Sequence, residues 1–389
     1  MHILLTVLLG IAAVLWIIQG VRAGIGMSSL PKIHQIQPLA NEKCPRVSIV
    51  FAARDEAEKL RGALETLLKL DYPDYEVVAV DDRSTDATPQ ILEELALRSP
   101  RLKVVHVTSL PPGWIGKTHA LDQGYRRATG SFFVFTDADV HFAPDVLGRV
   151  VALMQEQKID HLSLFTKMVM VGFWERVVMT FFGLGFSIGV EAWRTSDPRS
   201  SAYVGIGAFQ CIRREVYEAV GGYKTVALQV PEDMKVGKIV KRGGFRSQVA
   251  LAPHHVAVRW QAGLGNLVRG TTKTFFGAAN FNLKLVILQV TGILFMSVFP
   301  WVALIWLVLA KSHGLALIFA AVAVGAAFGI HIVVAIGAEA SPLYAFTHPI
   351  GALIFAWMLT RSTIITYWQG GVNWRETFYP LEELRRNVI

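Results

Sequence analysis

Two kinds of apolar pattern divide the chain. Residues 3–21 (ILLTVLLGIAAVLWIIQGV) form an uncharged run long enough to span a bilayer, and 285–310, 314–338 and about 342–360 repeat that pattern later. From residue 47 onward, short apolar runs alternate instead with segments of helical period. Val47–Ala53 reads as a buried strand, and residues 57–68 place Ala57, Leu60, Leu64, Leu67 and Leu68 on one helical face. Residues 76–80 predict a second strand running into Asp81 and Asp82, followed by a helix over 88–98 and a third strand over 103–107. A helix near 118–128 and a fourth strand over 132–135 complete the series. Strands alternating with helices imply an α/β domain on a mostly parallel sheet. Asp55, with Glu58 three residues on, predicts a capping box for the first of these helices.

This pattern predicts a membrane anchor over 1–22, a polar linker over 23–46 holding Pro31, Pro38 and Pro45, and an α/β domain over 47–271. Transmembrane helices over 272–368 and a polar tail over 369–389 follow. Within the α/β domain, 172–193 is apolar and aromatic but carries Glu175, Arg176 and Glu191, which predicts an amphipathic helix lying in the membrane interface. Arg22, Lys32, Lys43 and Arg46 follow the first span and put the α/β domain in the cytoplasm by the positive-inside rule. The expectation is a multi-pass protein of the cell (inner) membrane. Four spans and the late Arg375, Arg385 and Arg386 pull opposite ways on the side of the C-terminus.

Composition agrees with a membrane protein that has a polar part. Of 389 residues, 52% are hydrophobic, and mean hydropathy is +0.41. The net charge of +8 suits a phosphate-bearing substrate or an anionic membrane surface. No basic run interleaved with aromatics supports a nucleic-acid partner. Cys44 and Cys211 have no metal-ligand spacing and read as free thiols.

The candidate chemistry collects where strands end. Asp137 and Asp139 follow the fourth strand with one residue between them, and carboxylates so placed repel unless a cation joins them. Mg²⁺ suits such a pair, because it takes one or two protein carboxylates and completes its shell with water and phosphate oxygens. A helix cap or solvated turn is the plainer alternative. Asp81 and Asp82 could accept hydrogen bonds from a base or ribose, or cap the next helix, a task Ser84, Thr85 or Asp86 could also do. Gly116-Lys117-Thr118 opens a helix, so Lys117 and nearby backbone N–H groups could meet phosphate; Pro111 excludes a P-loop. Glu232-Asp233 precede a helix and read either as its N-terminal acids or as holding a general base. Arg259 could stabilise a diphosphate leaving group, while Trp260 offers a flat face or an interfacial anchor. His141, His254 and His255 lack the spacing or partners of a metal site.

In order, VSIVFAARDEAEKL, VDDRSTDAT, TDAD, PED and RW, spread over residues 47–260, resemble glycosyltransferase family 2, the inverting enzymes of the GT-A (Rossmann-like) fold. LPPGWIGKTHAL and NWRETFYPL are similar to the lipid-directed members, namely the ceramide glucosyltransferase type and bacterial hopanoid and carotenoid glycosyltransferases. The resemblance implies a nucleotide-sugar donor, with a UDP-sugar expected, and a lipid acceptor. It implies that Asp55 or Glu56 and Asp82 contact the nucleotide, and Arg259 and Trp260 match the end of the (Q/R)-x-x-R-W motif; Asp81, Lys117, Asp137 and Trp260 join the nucleotide-sugar-binding candidates. Asp137 and Asp139 would hold the sugar diphosphate through Mg²⁺ or Mn²⁺, Asp233 would be the catalytic base, and Arg259 would assist the leaving group. Val256 stands where the (Q/R)-x-x-R-W motif has Gln or Arg, which disfavours a processive polysaccharide synthase. A non-catalytic nucleotide-sugar-binding membrane protein is the other alternative.

Overall fold

The computed structural model describes residues 2–389. In chain order its elements are α1 (His2–Ser28), β1 (Val47–Ala53), α2 (Ala57–Leu68), β2 (Tyr75–Asp82), α3 (Thr88–Arg98), β3 (Leu102–Val107) and α4 (Gly116–Arg127). Then come β4 (Phe132–Asp137), β5 (His141–Phe142), α5 (Val146–Glu156), β6 (His161–Met168), α6 (Phe173–Val190), β7 (Gln210–Arg213), α7 (Arg214–Ala219), α8 (Gly222–Thr225), α9 (Glu232–Arg242) and β8 (Ser247–Val258). The chain finishes with α10 (Gly263–Ala278), α11 (Leu283–Ile293), α12 (Phe299–Leu309), α13 (Leu315–Gly337), α14 (His348–Gln369), the hairpin β9 (Gly371–Trp374) and β10 (Thr377–Pro380), and α15 (Leu381–Arg386). These divide into two compact units, one of 1–28, 170–191 and 261–388, the other of 29–169, 192–260 and 389.

The second unit is built on one eight-stranded sheet of order β3-β2-β1-β4-β7-β6-β8-β5. β1, β2, β3 and β4 are mutually parallel; β7 runs antiparallel to both β4 and β6, β6 pairs β8 in parallel, and β5 is antiparallel to β8. Strands covered on both faces read as continuous apolar runs, as VSIVFAA and FFVF do. The packing behind them is a cluster that includes Ile49, Phe51, Leu60, Leu64, Val77 and Val134, all fully buried. β1 and α2 fall where the apolar pattern predicts them. β2 and β4 run further than predicted and carry Asp81, Asp82 and Asp137 as their last residues, so three acids stand at the carboxyl edge of two parallel strands that flank β1, where open α/β sheets bind ligands.

The segment expected as a linker belongs in part to this unit. α1 continues to Ser28, and beyond it Lys32 bridges Leu251 of β8 while the Leu251 N–H donates to Pro31 O at 2.8 Å. Ile33 is fully buried in the sheet's core, which is the apolar anchor that the prolines of this stretch obscure.

The first unit is helical. Its core joins small and aromatic side chains, with Ala12, Ala13 and Trp16 of α1 against Phe181 and Leu184 of α6, Ala323 and Ala327 of α13, and Ala352 of α14. Small residues let apolar helices approach closely. Among the described residues five helices are long and apolar enough to cross a membrane, at 2–28, 173–194, 283–309, 315–337 and 342–369. The sequence pattern counted four and placed 172–193 in the interface. Glu175 of this fifth helix is buried and accepts from the N–H groups of Val171 and Gly263 at 2.9 and 2.6 Å.

Candidate active site

The turn after β1 and the loop after β2 are sewn together. Asp55 sits in the left-handed region, with φ of 55°, and its Oδ1 accepts from the Thr85 N–H and hydroxyl at 2.8 and 3.2 Å. In return the Asp55 N–H donates to Ser84 Oγ, the Glu56 N–H to Thr88 Oγ1 and the Ala57 N–H to Asp86 Oδ2, at 3.1, 2.9 and 3.1 Å. The capping box expected from Asp55 and Glu58 does not form. The side chains of the DDRSTDAT loop instead satisfy, across the sheet edge, the first donor of α2 and the two N–H groups before it, which a local motif cannot reveal.

Asp81 and Asp82 are 5% and 3% exposed. Asp81 accepts from the Ser84 N–H at 3.2 Å and pairs with His106 at 3.0 Å. Asp82 is held by Arg83 through Nε and Nη2 at 2.8 and 3.1 Å. Gly116 makes room for that pair, since a Cβ there would lie 2.6 Å from Asp82 Oδ2. Its helix α4 starts at this place because the Ala227 carbonyl accepts from both the Ile115 N–H and the Thr118 hydroxyl, at 2.9 and 2.7 Å.

The same anchoring brings Lys117 to the centre. Its Nζ bridges Asp137 Oδ1 at 2.5 Å and Glu232 Oε1 at 2.6 Å. Burial would depress this ammonium, but Asp137, Glu232 and Asp233 around it push its pKa well above the usual lysine value. Asp233, the second residue of α9, also has its pKa raised, which for a carboxylic acid favours the neutral form. Burial first and then Glu232 raise it to about 7, against the opposing pull of Lys117 and of the Met234 N–H. Asp233 Oδ2 accepts from the Gly207 N–H at 2.8 Å, and Oδ1 from the Met234 N–H at 2.7 Å. Gly207 stands between two carboxylates, because a Cβ on it would lie 2.9 Å from Asp137 Oδ2 and 3.3 Å from Asp233 Oδ2. The Thr136 hydroxyl fixes this crossing by donating to Ala208 O at 2.8 Å.

Asp139 lies two residues past Asp137 and pairs with Lys59 of α2 at 3.1 Å. Both members of the D-x-D pair thus face an ammonium, the cation that two neighbouring carboxylates require. Among the described residues no group of three or more His, Cys, Asp or Glu could hold a metal. A pair with no third protein ligand does not make a closed cage. It fits Mg²⁺ or Mn²⁺ that draws its remaining ligands from water and a substrate diphosphate.

Arg259 and Trp260 are half-buried and follow β8, which pairs with β6 and β5 and not with the strand bearing Asp137. Val256 is 1% exposed, opposite Phe142 in the β5–β8 ladder and inside the apolar core. His255 lies 3.7 Å from Asp145, and His254 packs edge-on to His34. Cys44 and Cys211 are free. Gly207 and Lys59 are not among the candidates the sequence supplies, and Glu232 stands there only as a helix-start neighbour of Asp233. The glycines of GIGA at 205–208 were the one available signal.

Residues 48–221 match the family model described as Glycosyl transferase family 2. A β-monoglucosyldiacylglycerol synthase from Nostoc sp. is 32% identical over 187 residues, which are 46% of this chain and 38% of that protein. A 4,4'-diaponeurosporenoate glycosyltransferase from Staphylococcus aureus is 27% identical over 235 residues, covering 58% of this chain and 60% of its own. The chain thus spans about half the length of these curated relatives. Among solved structures, a mannosyltransferase from Pyrobaculum calidifontis in complex with GDP-Man and Mn²⁺ superimposes with a TM-score of 0.54 at 21% identity, covering 94% of this chain and 99% of that one. That likeness shows the fold, a Rossmann-like GT-A sheet in a chain with apolar helices. Residues 48–221 therefore form a glycosyl transferase family 2 domain on the GT-A fold.

Proposed function

We propose that the chain is a membrane-bound inverting glycosyltransferase that moves a sugar from a nucleotide-sugar donor, a UDP-sugar by expectation, to a hydroxyl of a lipid. The observation that carries this reading is the cluster in which Lys117 bridges Asp137 and Glu232 while the Gly207 N–H holds Asp233 beside them. Two relatives are named for a glucosyldiacylglycerol and for diaponeurosporenoate, and five helices here are apolar enough for a membrane. In this reading Asp55, Glu56, Asp81 and Asp82 receive the nucleoside, and Trp260 lies against the donor. Lys117 and Arg259 meet phosphate oxygens, where the guanidinium's fork suits a departing diphosphate.

Asp137 and Asp139 would hold Mg²⁺ or Mn²⁺, which supplies positive charge to the diphosphate as it leaves. Asp233 takes the proton of the acceptor hydroxyl at its Oδ atoms while that oxygen attacks the anomeric carbon from the face opposite the diphosphate. A carboxylate raised to about 7 is basic enough to accept a proton and is about half ionised at neutral pH, a balance that suits a general base. When phosphate oxygens arrive, Lys117 has a second set of anions to serve, and its hold on Asp137 and Glu232 relaxes. The domain faces the cytoplasm in this account, as the basic residues after the first span imply.

The test is donor binding to the purified full chain. A nucleoside diphosphate should bind in the presence of Mn²⁺ or Mg²⁺, weaken in EDTA, and lose its metal dependence in Asp139→Ala. Binding that ignores both EDTA and the substitution overturns the metal assignment.

A further inference from the structure

His106 lies directly opposite Asp81 in the parallel β2–β3 ladder, on the edge strand of the sheet. Its Nδ1 is 3.0 Å from Asp81 Oδ2 and its Nε2 is 2.8 Å from Glu93 Oε1 of α3. Asp81 is nearly closed to solvent, while the His106 side chain is 42% exposed. The imidazole therefore works from the surface on a buried carboxylate. Asp81 Oδ1 accepts from the Ser84 N–H, and Ser84 Oγ accepts from the Asp55 N–H. One polar chain thus runs Glu93, His106, Asp81, Ser84, Asp55 and joins the ends of β1 and β2.

We propose that His106 is a positioning residue for the donor, one that orients the Asp81 carboxylate toward the base or ribose of the nucleotide. The inference rests on the nucleotide-sugar reading above. A carboxylate at the end of a strand has two side-chain torsions to fix. The Ser84 N–H holds one oxygen of Asp81 and His106 holds the other, which leaves the remaining lone pairs facing a ligand in one orientation. Aspartate without the second bond would share its time among rotamers, and donor affinity would fall by the fraction misplaced.

The charged groups that face the ring are Asp81 from β2 and Glu93 from α3. Their hydrogen bonds, that with Asp81 the larger, hold the imidazole pKa above its usual value. An imidazolium donates from both nitrogens, whereas the neutral ring donates from one only. The stabilisation is therefore complete below about pH 6.5 and is lost as pH rises through the raised pKa. Asp81 is held best under the same conditions.

The experiment titrates UDP and GDP, as separate probes with Mn²⁺, into the purified full chain carrying His106→Ala, His106→Gln or Asp81→Asn. His106→Ala should weaken nucleoside diphosphate binding about tenfold, the worth of one hydrogen bond to a charged group, and raise donor KM with kcat within about twofold. His106→Gln keeps one N–H donor without titrating. It should restore affinity to within about threefold and abolish the part of the affinity loss that wild type shows between about pH 6 and pH 8. A merely structural role for His106 would lower thermal stability and leave donor KM and its pH profile alone, which overturns the proposal. If Asp81→Asn weakens binding and His106→Ala does not, positioning fails and the nucleotide reading survives. If wild type binds neither probe, both fall.

Discussion

The two halves of the sheet do different work and were written into the chain in different ways. β3, β2, β1 and β4 are parallel, and the carboxyl ends of β2, which is buried along its whole length, and of β4 carry Asp81, Asp82 and Asp137. β7, β6, β8 and β5 mix directions, include strands of two and four residues, and break register between Thr166 and Lys167. The parallel half holds its acids through side chains that reach from loop to loop. The mixed half works through its connections, with the backbone N–H of Gly207 holding the carboxylate of Asp233. In the proposed reading, a donor site made of acids on one frame meets a base held by backbone from the other.

The strongest way to break this division of labour is Asp233→Asn. If the mixed half supplies the base and the parallel half the donor site, the variant should lose about 10² to 10⁴ in kcat while nucleoside diphosphate affinity stays near wild type. Kinetics and titration on the same preparation check this, and parallel losses in both would merge the halves. If Asp233 is the base, its ionised form is the active one and wild-type kcat should rise as pH passes about 7.

A second test addresses the frame rather than the chemistry. At the amino edge of the parallel half, Glu76 is 2% exposed and accepts from the Ser48 hydroxyl and the Thr129 N–H, each at 2.6 Å, with Lys103 at 2.5 Å. Burial alone would raise this carboxyl, but Lys103, Ser48 and Thr129 outweigh it and hold the group at about 2. Because the folded value is depressed, its stabilisation is present above about pH 4.5 and is lost as pH falls toward 2, a contribution of about 3 kcal/mol. Glu76→Gln should remove that contribution near neutral pH and flatten the acid limb of unfolding measured in detergent. An unchanged acid limb would mean that this frame does not depend on Glu76.

The smallest expected effect belongs to the mixed half. Val256→Gln would place an amide in the apolar core beside Phe142 and cost about 2 kcal/mol of stability, with no gain of polymer product. A stable variant that makes polymer would show that Val256 can reach an acceptor.

This contrast also explains what could be read in advance. VSIVFAA, FFVF and the helical face of 57–68 are strong local signals, and the acids that follow those strands fall where open parallel sheets bind ligands. Lys117 was legible because it opens a helix, although its partner Glu232 lies over a hundred residues away and becomes a neighbour only through the Ala227 carbonyl. The cap of α2 misled because the local box Asp55/Glu58 competed with side chains from another loop. Lys59 looked like any exposed helix lysine. Gly207 acts through its N–H and its missing side chain, and neither leaves a residue-type signature.

The central claim is that the joined site adds a single sugar to a lipid. The most direct measurement incubates the full chain in lipid bilayers with Mn²⁺ and a panel of labelled nucleotide sugars, then extracts the lipids and weighs the labelled products. The account predicts a lipid heavier by one sugar residue, formed from one preferred donor and absent with Asp233→Asn. Label found only as free sugar, or as a ladder of polymer masses, would contradict it.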